Sequence, residues 1–196
     1  MTNTKTRRGY SLVESMLVVT TTMIMASVGV PTFLTSLKNF RIDSDARSMA
    51  SHLGMAKLKA AAGFTHTRFY ADSNDGTYRV EAWQRASSRW ATLAGPFKYQ
   101  GNNTLGYGSR TTPPSGTQTS LAQAPECLTT SGKPIPGTVC VVFNSRGWPI
   151  DNSGNLTGDD AVYLTNSSRV YGVTVSAIGS IATWRTPSAS TDWEKQ

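Results

Sequence analysis

Residues 10–34 read YSLVESMLVVTTTMIMASVGVPTFL and follow nine polar and basic residues, MTNTKTRRG. Within this stretch residues 16–34, nineteen in a row, carry no charge. As a helix they span about 28 Å at 1.5 Å per residue, which is just enough to cross a bilayer. The sequence therefore predicts a transmembrane helix close to the N-terminus.

The flanking charges orient this helix. Lys5, Arg7 and Arg8 precede the apolar run, so the positive-inside rule places the N-terminus in the cytoplasm and the chain after Lys38 outside. A secretory signal peptide would end in small residues at a cleavage site, whereas residues 31–34 read PTFL. A plain signal anchor is the simpler alternative.

Glu14 argues against a plain anchor. A carboxylate inside an apolar segment costs several kcal/mol unless it is paired, so an intramembrane acid is a functional candidate. Cutting the Gly9–Tyr10 bond makes Glu14 the fifth residue of the mature chain and frees an amine at Tyr10. In a bundle of staggered parallel helices, that amine can pair with Glu14 of a neighbouring subunit.

Residues 8–14, RGYSLVE, resemble the processing site of type IV prepilins and type II secretion pseudopilins. Tyr10 departs from the Phe that usually follows the cut, and Pro31 falls at mature position 22, where many pilins carry a helix-bending proline. The resemblance implies cleavage after Gly9 by a membrane prepilin peptidase, followed by N-methylation of Tyr10.

The helical pattern continues to Gly63. One face is apolar and another is polar. Two residue pairs, Asp43 with Arg47 and Arg41 with Asp45, are spaced for i,i+4 ion pairs. The apolar stripe, which we expect to pack under the head, consists of Ile42, Ala46, Met49, Leu53, Ala56 and Ala60. The polar face carries Arg41, Asp45, Ser48, His52 and Lys59.

Strand-like patterns follow the helix. Residues 64–71 and 77–85 predict a hairpin around the Asp-Gly turn at 72–76 and place His66 in its first strand, and residues 90–93 and 96–99 continue it. Further strands are predicted at 138–143, 161–164, 170–177 and 181–185. The fold class is therefore α+β, a long helix followed by an antiparallel β head. The predicted segments are a leader (1–9), a transmembrane half-helix (10–37), an amphipathic half-helix (38–63), a head (64–186) with a long surface loop (101–134), and a loose tail (187–196).

The two cysteines, Cys127 and Cys140, are separated by twelve residues. A zinc site needs four ligands, usually in close pairs, so a disulfide that ties the loop to the 138–143 strand is the better interpretation. A disulfide indicates an oxidising compartment outside the cytoplasm. The net charge is +7, and falls to about +4 without the leader, which permits contact with nucleic acid or anionic lipid without arguing for either.

The C-terminal half resembles the closing strands of the GspH/FimT group of minor pilins and pseudopilins, in residues 142–149 (VFNSRGWP), 161–164 (AVYL) and 171–179 (YGVTVSAIG). The resemblance implies a structural subunit in a tip or initiation complex, anchored in a bacterial inner membrane with a periplasmic head. Its implied partners are other pilins or pseudopilins, the prepilin peptidase, the inner-membrane assembly platform and membrane lipid.

A DNA receptor is the alternative. Some minor pilins of this group resemble DNA-uptake receptors that carry an arginine-bearing motif after a glycine, and residues 179–185 (GSIATWR) match it except at Ser180, where the motif has a basic residue. Trp184 would stack on a base. The candidate contacts are Lys133, Arg146, Arg169, Trp184 and Arg185.

Other chemistry is weakly represented. His52 and His66 are the only histidines and neither lies in a recognisable catalytic motif, so we expect no enzyme and no cofactor. The turn at 72–76 falls one residue short of an EF-hand start. Asp151, Asn155 and Asp159 are weak calcium candidates, because such residues are also ordinary turn formers.

Overall fold

The computed structural model describes residues 11–186 and 192–196. In these ranges one helix, α1 (Leu12–Gly63, 52 residues), precedes ten strands. The strands are β1 (Thr67–Asp72), β2 (Thr77–Gln84), β3 (Arg89–Lys98), β4 (Thr104–Leu105), β5 (Thr138–Phe143), β6 (Pro149–Ile150), β7 (Asp159–Thr165), β8 (Val170–Ser176), β9 (Ile181–Thr186) and β10 (Glu194–Lys195).

The strands form two five-stranded sheets, here called sheet A and sheet B. Sheet A has the order β3-β2-β1-β5-β6 and sheet B the order β10-β9-β8-β7-β4. Every paired strand is antiparallel to its neighbour. The predicted α+β class is confirmed.

The chain divides into two compact units, Met1–Lys38 and Asn39–Gln196, and α1 contributes to both. The described part of the first unit is the N-terminal half of α1. The second unit, which we call the head, contains the rest of α1 and both sheets.

The core of the head lies along the predicted apolar stripe of α1, whose six residues are all 0% exposed. They pack against the inward side chains of sheet A, such as Phe69 and Val80, and of sheet B, such as Val162 and Val173. The prediction that the stripe packs under the head is confirmed, and α1 ends at Gly63 as expected.

Asp45 does not lie on an exposed polar face as predicted. It is buried, and its Oδ2 accepts hydrogen bonds from the Gln100 backbone N–H (2.7 Å) and from Asn103 Nδ2 (2.6 Å). The predicted Arg41–Asp45 ion pair is absent from the described residues, because the carboxylate is occupied by these loop donors. The Asp43–Arg47 pair is present at 2.9 Å.

The predicted hairpin is present as β1 and β2, with Gly76 in the left-handed conformation that the turn requires (φ +63°). The third strand follows as β3, with register shifts where it passes Val80. His66, expected inside a strand, immediately precedes β1 and is exposed.

The disulfide joins Cys127 to Cys140 of β5, which ties the end of loop 101–134 to sheet A as predicted. Loop 101–134 was predicted to lie on the surface, but parts of it are buried in the head. It supplies β4 to sheet B and buries Asn103, Ala124 and Cys127. Its backbone also bonds to the sheets, for example Ala124 N–H to the Ala161 carbonyl at 2.7 Å.

The tail also differs from its prediction. Residues 187–191 lie outside the described part, but β10 pairs with β9 through Glu194 opposite Arg185 and Lys195 opposite Trp184. Sequence pattern alone gave no strand here because two residues are too few to show alternation.

Candidate assembly site and head surfaces

Glu14 lies in the first turn of α1, where the helix dipole favours a negative charge. It is the one charged residue between positions 11 and 37. Its neighbours in the helix expose their apolar side chains, from 50% at Val19 to 75% at Met25. No ion pair joins Glu14 to residues 11–186 or 192–196. The helix is long and apolar enough to cross a membrane.

The other polar side chains of this half-helix are satisfied by its own backbone. Each hydroxyl bonds a carbonyl three or four residues earlier, as in Thr21 Oγ1 to the Leu17 carbonyl at 2.9 Å. The hydroxyls bonded in this way are those of Ser15, Thr20, Thr21, Thr22, Ser27, Thr32, Thr35 and Ser36. Glu14 is therefore the side chain of this segment that most needs an external partner.

Pro31 lies inside α1 without ending it. Because proline has no N–H, the Ser27 carbonyl four residues earlier loses its usual helical donor. The Pro31 carbonyl accepts from Thr35 Oγ1 at 3.0 Å. Gly9 and Tyr10 lie outside the described residues, so the processing site stays a prediction.

Two of the five proposed DNA contacts, Arg169 and Arg185, approach the same residue, Tyr171. Burial raises the pKa of the Tyr171 hydroxyl, the Asp43 carboxylate raises it further, and the Arg169 guanidinium opposes both. Arg185 lies directly across from Tyr171 in the β8–β9 register. Its guanidinium also contacts the Glu194 carboxylate at 2.9 Å, and this hydrogen bond raises the pKa of Arg185.

Trp184 lies on the opposite face of sheet B from Arg185, because successive residues of a strand alternate. Its Nε1 donates to Thr174 Oγ1 at 2.9 Å, and Lys195 Nζ is 5.8 Å from the ring centroid. These residues line a cavity of about 230 Å³ that also contains the buried Asp160. Lys195 was missed by the sequence reasoning, since its strand was read as tail.

Lys133 and Arg146 lie in two further turns. Lys133 closes a turn with Thr129, to whose Oγ1 its N–H donates at 3.0 Å. Arg146 lies between β5 and β6, with its guanidinium 5.5 Å from the centroid of the Trp148 ring. Of the five candidates, the structure thus brings together Arg169 and Arg185. Trp184 lies on the opposite face of sheet B from Arg185, and Lys133 and Arg146 lie in other turns.

The turn beside Arg146 packs closely against Gly179. Gly179, in the left-handed region at φ +73°, has the Gly147 carbonyl oxygen so close that a Cβ there would clash with it. Lys57 of α1 reaches the same point and donates to the Gly179 carbonyl at 2.9 Å. The glycine that opens the arginine-bearing stretch therefore has a packing role.

The calcium candidates mostly bond within their own turns. Asp151 Oδ1 accepts from the Asn155 and Ser153 N–H groups at 2.8 Å, and these bonds, led by Asn155, lower its pKa. Asp159 begins β7, and Asp160 accepts from Thr157 Oγ1 at 2.5 Å. In the other turn, Asp72 accepts from the Asn74 N–H. Within the described ranges, no three His, Cys, Asp or Glu residues form a group that could hold a metal ion.

A buried ionic cluster on the outer face of sheet A was not foreseen. Glu81 accepts from Arg68 Nε at 2.6 Å and from Arg79 Nε at 2.7 Å. Arg68 also donates to the Leu128 carbonyl at 2.7 Å and lies over the Trp90 ring, 4.2 Å from its centroid. Burial lowers the pKa of Arg68 and the Glu81 carboxylate opposes this. The sequence did contain one signal for this cluster, because the register of the predicted hairpin places Arg68 opposite Glu81.

Comparison of the chain with models of protein families, with curated proteins and with solved structures found no match.

Proposed function

We propose that this chain is a minor pilin or pseudopilin, a membrane-anchored subunit of a type IV pilus or a type II secretion pseudopilus that acts in a tip or initiation complex. The observation that carries the proposal is Glu14, a lone carboxylate in the first turn of an exposed apolar half-helix. The predicted cut after Gly9 supports it, because it would place a free amine four residues before this acid.

The anchor and the head have separate tasks in this proposal. In the bacterial inner membrane the half-helix lies among lipid tails with the head in the periplasm. On assembly the same surface packs against the helices of other subunits, and the amine at Tyr10 of one subunit neutralises Glu14 of its neighbour. An ion pair that leaves neither charge exposed removes the cost of holding a carboxylate in an apolar medium.

Pro31 has a role in this packing. A proline in a membrane helix frees one carbonyl and allows the helix to bend, and neighbouring helices can satisfy the freed group. The head then presents both sheets to partner subunits, while the prepilin peptidase and the assembly platform act on the N-terminal half.

The test is Glu14→Ala in the native host. We expect the variant to be cleaved, methylated at Tyr10 and inserted in the membrane, but to fall at least tenfold in the sheared filament fraction. Intact-mass spectrometry checks loss of residues 1–9 and gain of one methyl group. Ser15→Ala is the matched control, because it removes a neighbouring polar group that is satisfied within the helix. Normal incorporation of Glu14→Ala would refute the ion-pair account.

Binding of DNA at the pilus tip is the second candidate, favoured by the meeting of Arg169 and Arg185 at Tyr171. Asp43 and Glu194 offset part of that charge. A salt titration of DNA binding to the full chain in zwitterionic nanodiscs tests it, since the slope reports the phosphates neutralised. The double variant Arg169→Ala/Arg185→Ala should abolish binding, while Arg89→Ala, an exposed arginine of β3, should not. No binding at low salt would remove this candidate.

A further inference from the structure

A cleft of about 220 Å³ opens on the outer face of sheet A, away from α1. Trp83 of β2 and Trp90 of β3 form its aromatic wall, and the turns at 128–134 and 150–156 form its other sides. Arg68, which is paired with Glu81, lies against the Trp90 ring and supports this wall. The cleft lies within the head and involves no residue of the Glu14 segment.

The two tryptophans form a corner. Their ring centroids are 5.3 Å apart and their planes meet at 69°, and both rings are half-buried, so each retains an accessible part. One flat ligand ring can lie on one indole while its edge contacts the other. A straight polyproline helix is suited instead to an open aromatic-lined groove.

The charges around the cleft are already compensated. Arg68, the cation at its base, is paired with Glu81 and bonded to the Leu128 carbonyl. Asp151, the carboxylate at its rim, accepts from its own turn. Phosphate or a nucleic-acid backbone would need cations without partners, which this cleft does not offer among its described lining residues. Thr129 Oγ1 already bonds Ser131 and the Lys133 N–H. The lining polar side chains that remain are the Thr130 hydroxyl, the Asn152 amide and the His66 imidazole.

A second cleft of about 170 Å³ adjoins the first and shares His66 and Trp83 with it. Its far end is Arg85, whose Nη2 donates to the Phe64 carbonyl at 2.8 Å. Two clefts that share one tryptophan fit a ligand made of repeated rings better than a single small molecule.

We propose that these two clefts together bind an oligosaccharide whose ring in the larger cleft is neutral. The apolar face of that ring packs on the indoles of Trp83 and Trp90, and its hydroxyls bond Thr130 and Asn152 at the rim. Pockets of this kind combine aromatic walls with a few placed polar groups. The proposal does not depend on whether the chain enters a filament.

The experiment uses the full chain in nanodiscs and three neutral probes: the trimers of N-acetylglucosamine, β-1,4-glucose and α-1,4-glucose. We expect saturable binding of at least one, seen as saturation transfer in NMR and as a shift in tryptophan fluorescence. Trp83→Ala should weaken that binding at least tenfold. His66→Ala, which changes an exposed side chain and spares the fold, should weaken it severalfold.

Trp184→Ala is the matched control, because it removes a half-buried tryptophan from sheet B and should leave the affinity unchanged. The proposal is overturned if none of the three trimers saturates, or if binding survives both Trp83→Ala and His66→Ala. It is equally overturned if a proline-rich peptide or single-stranded DNA binds at Trp83 and the saccharides do not.

Discussion

The two halves of α1 carry the same kind of apolar side chain, but only the second half buries it. Between Leu12 and Leu34 the large apolar side chains are at least half exposed, whereas the six stripe residues from Ile42 to Ala60 are fully buried. The second half finds its apolar partners in the sheets of its own head. The first half leaves its large apolar side chains exposed, and the proposed function assigns lipid or other subunits as their partners.

The polar groups of the two halves also differ, in how far away in the sequence their hydrogen-bond partners lie. In the first half, hydroxyls bond carbonyls one turn back, so the helix is satisfied by itself. In the second half the partners are distant in sequence: Asp45 bonds Gln100, Ser48 bonds Tyr78, and Lys57 bonds Gly179. The side-chain hydroxyls of the first half are therefore satisfied without the head, while the second half depends on a folded head for its polar contacts.

The strongest test of this contrast is one truncation in each half. Leu53→Ala should lower the free energy of unfolding of the head by about 2–5 kcal/mol, because it leaves a cavity in a fully buried site. Leu17→Ala, at a site that is 62% exposed, should change it by less than about 0.5 kcal/mol. Denaturant titration of the full chain, followed by tryptophan fluorescence, measures both, because the tryptophans all follow α1 in the chain. Equal losses of unfolding free energy in the two variants would contradict the difference in packing between the two halves of α1.

A smaller effect is expected from the long-range hydrogen bond of Lys57. Lys57→Met keeps the aliphatic stem but removes the donor to Gly179, and should cost about 1 kcal/mol. Lys59→Met is the control, since Lys59 is exposed on the same helix and should be close to neutral. If both variants unfold at the same denaturant concentration as the unmodified chain, the Lys57 contact does not stabilise the head.

The smallest effect concerns Asp45 and pH. Burial raises its pKa above the ordinary 3.8, and the bonds from Asn103 and Gln100 only oppose this. The folded state then holds the proton more tightly, so this group makes stability fall as pH rises from about 3.8 through the raised value. Asp45→Asn should remove that part of the slope.

Denaturant midpoints of the unmodified chain and of Asp45→Asn, compared between about pH 3 and about pH 7, isolate this contribution because other carboxylates cancel in the difference. Asp75→Asn, in an exposed turn, is the control and should follow the unmodified chain. A pH-independent difference between the Asp45→Asn variant and the unmodified chain would show that Asp45 titrates alike in both states.

Local pattern was enough for much of this fold. Spacing over a few residues predicts the stripe, the end of α1, the Asp-Gly hairpin, the disulfide and the strands β7, β8 and β9 of sheet B. The predictions were wrong where the environment of a residue is determined by partners that are distant in sequence. Asp45 was placed on a polar face because its neighbours are polar, and Gln100 and Asn103, more than fifty residues later, bury it.

The candidate sites likewise divide into those that a local sequence pattern predicts and those that form only when distant residues meet. Glu14 and Pro31 could be identified from the sequence, because both are recognised by their positions relative to one long apolar run. The Trp83–Trp90 corner is not, because residues from β2, β3 and two later turns meet only when sheet A has formed. The predicted cluster of Lys133, Arg146, Arg169 and Arg185 is reduced to the two arginines that meet at Tyr171. Trp184 lies on the opposite face of sheet B from Arg185, because successive residues of β9 alternate.

The self-bonded hydroxyls of the first half-helix have a consequence for movement between environments. Apart from Glu14 and the Ser27 carbonyl that Pro31 leaves without a helical donor, the polar groups of this surface are satisfied by the helix itself, so the surface is mainly hydrocarbon and sulfur. Lipid tails and packed helices are nearly equivalent surroundings for such a surface, because few polar bonds change between them. Under the proposed function, this helix would pass from one to the other at little cost, and the pairing of Glu14 would determine which of the two it favours.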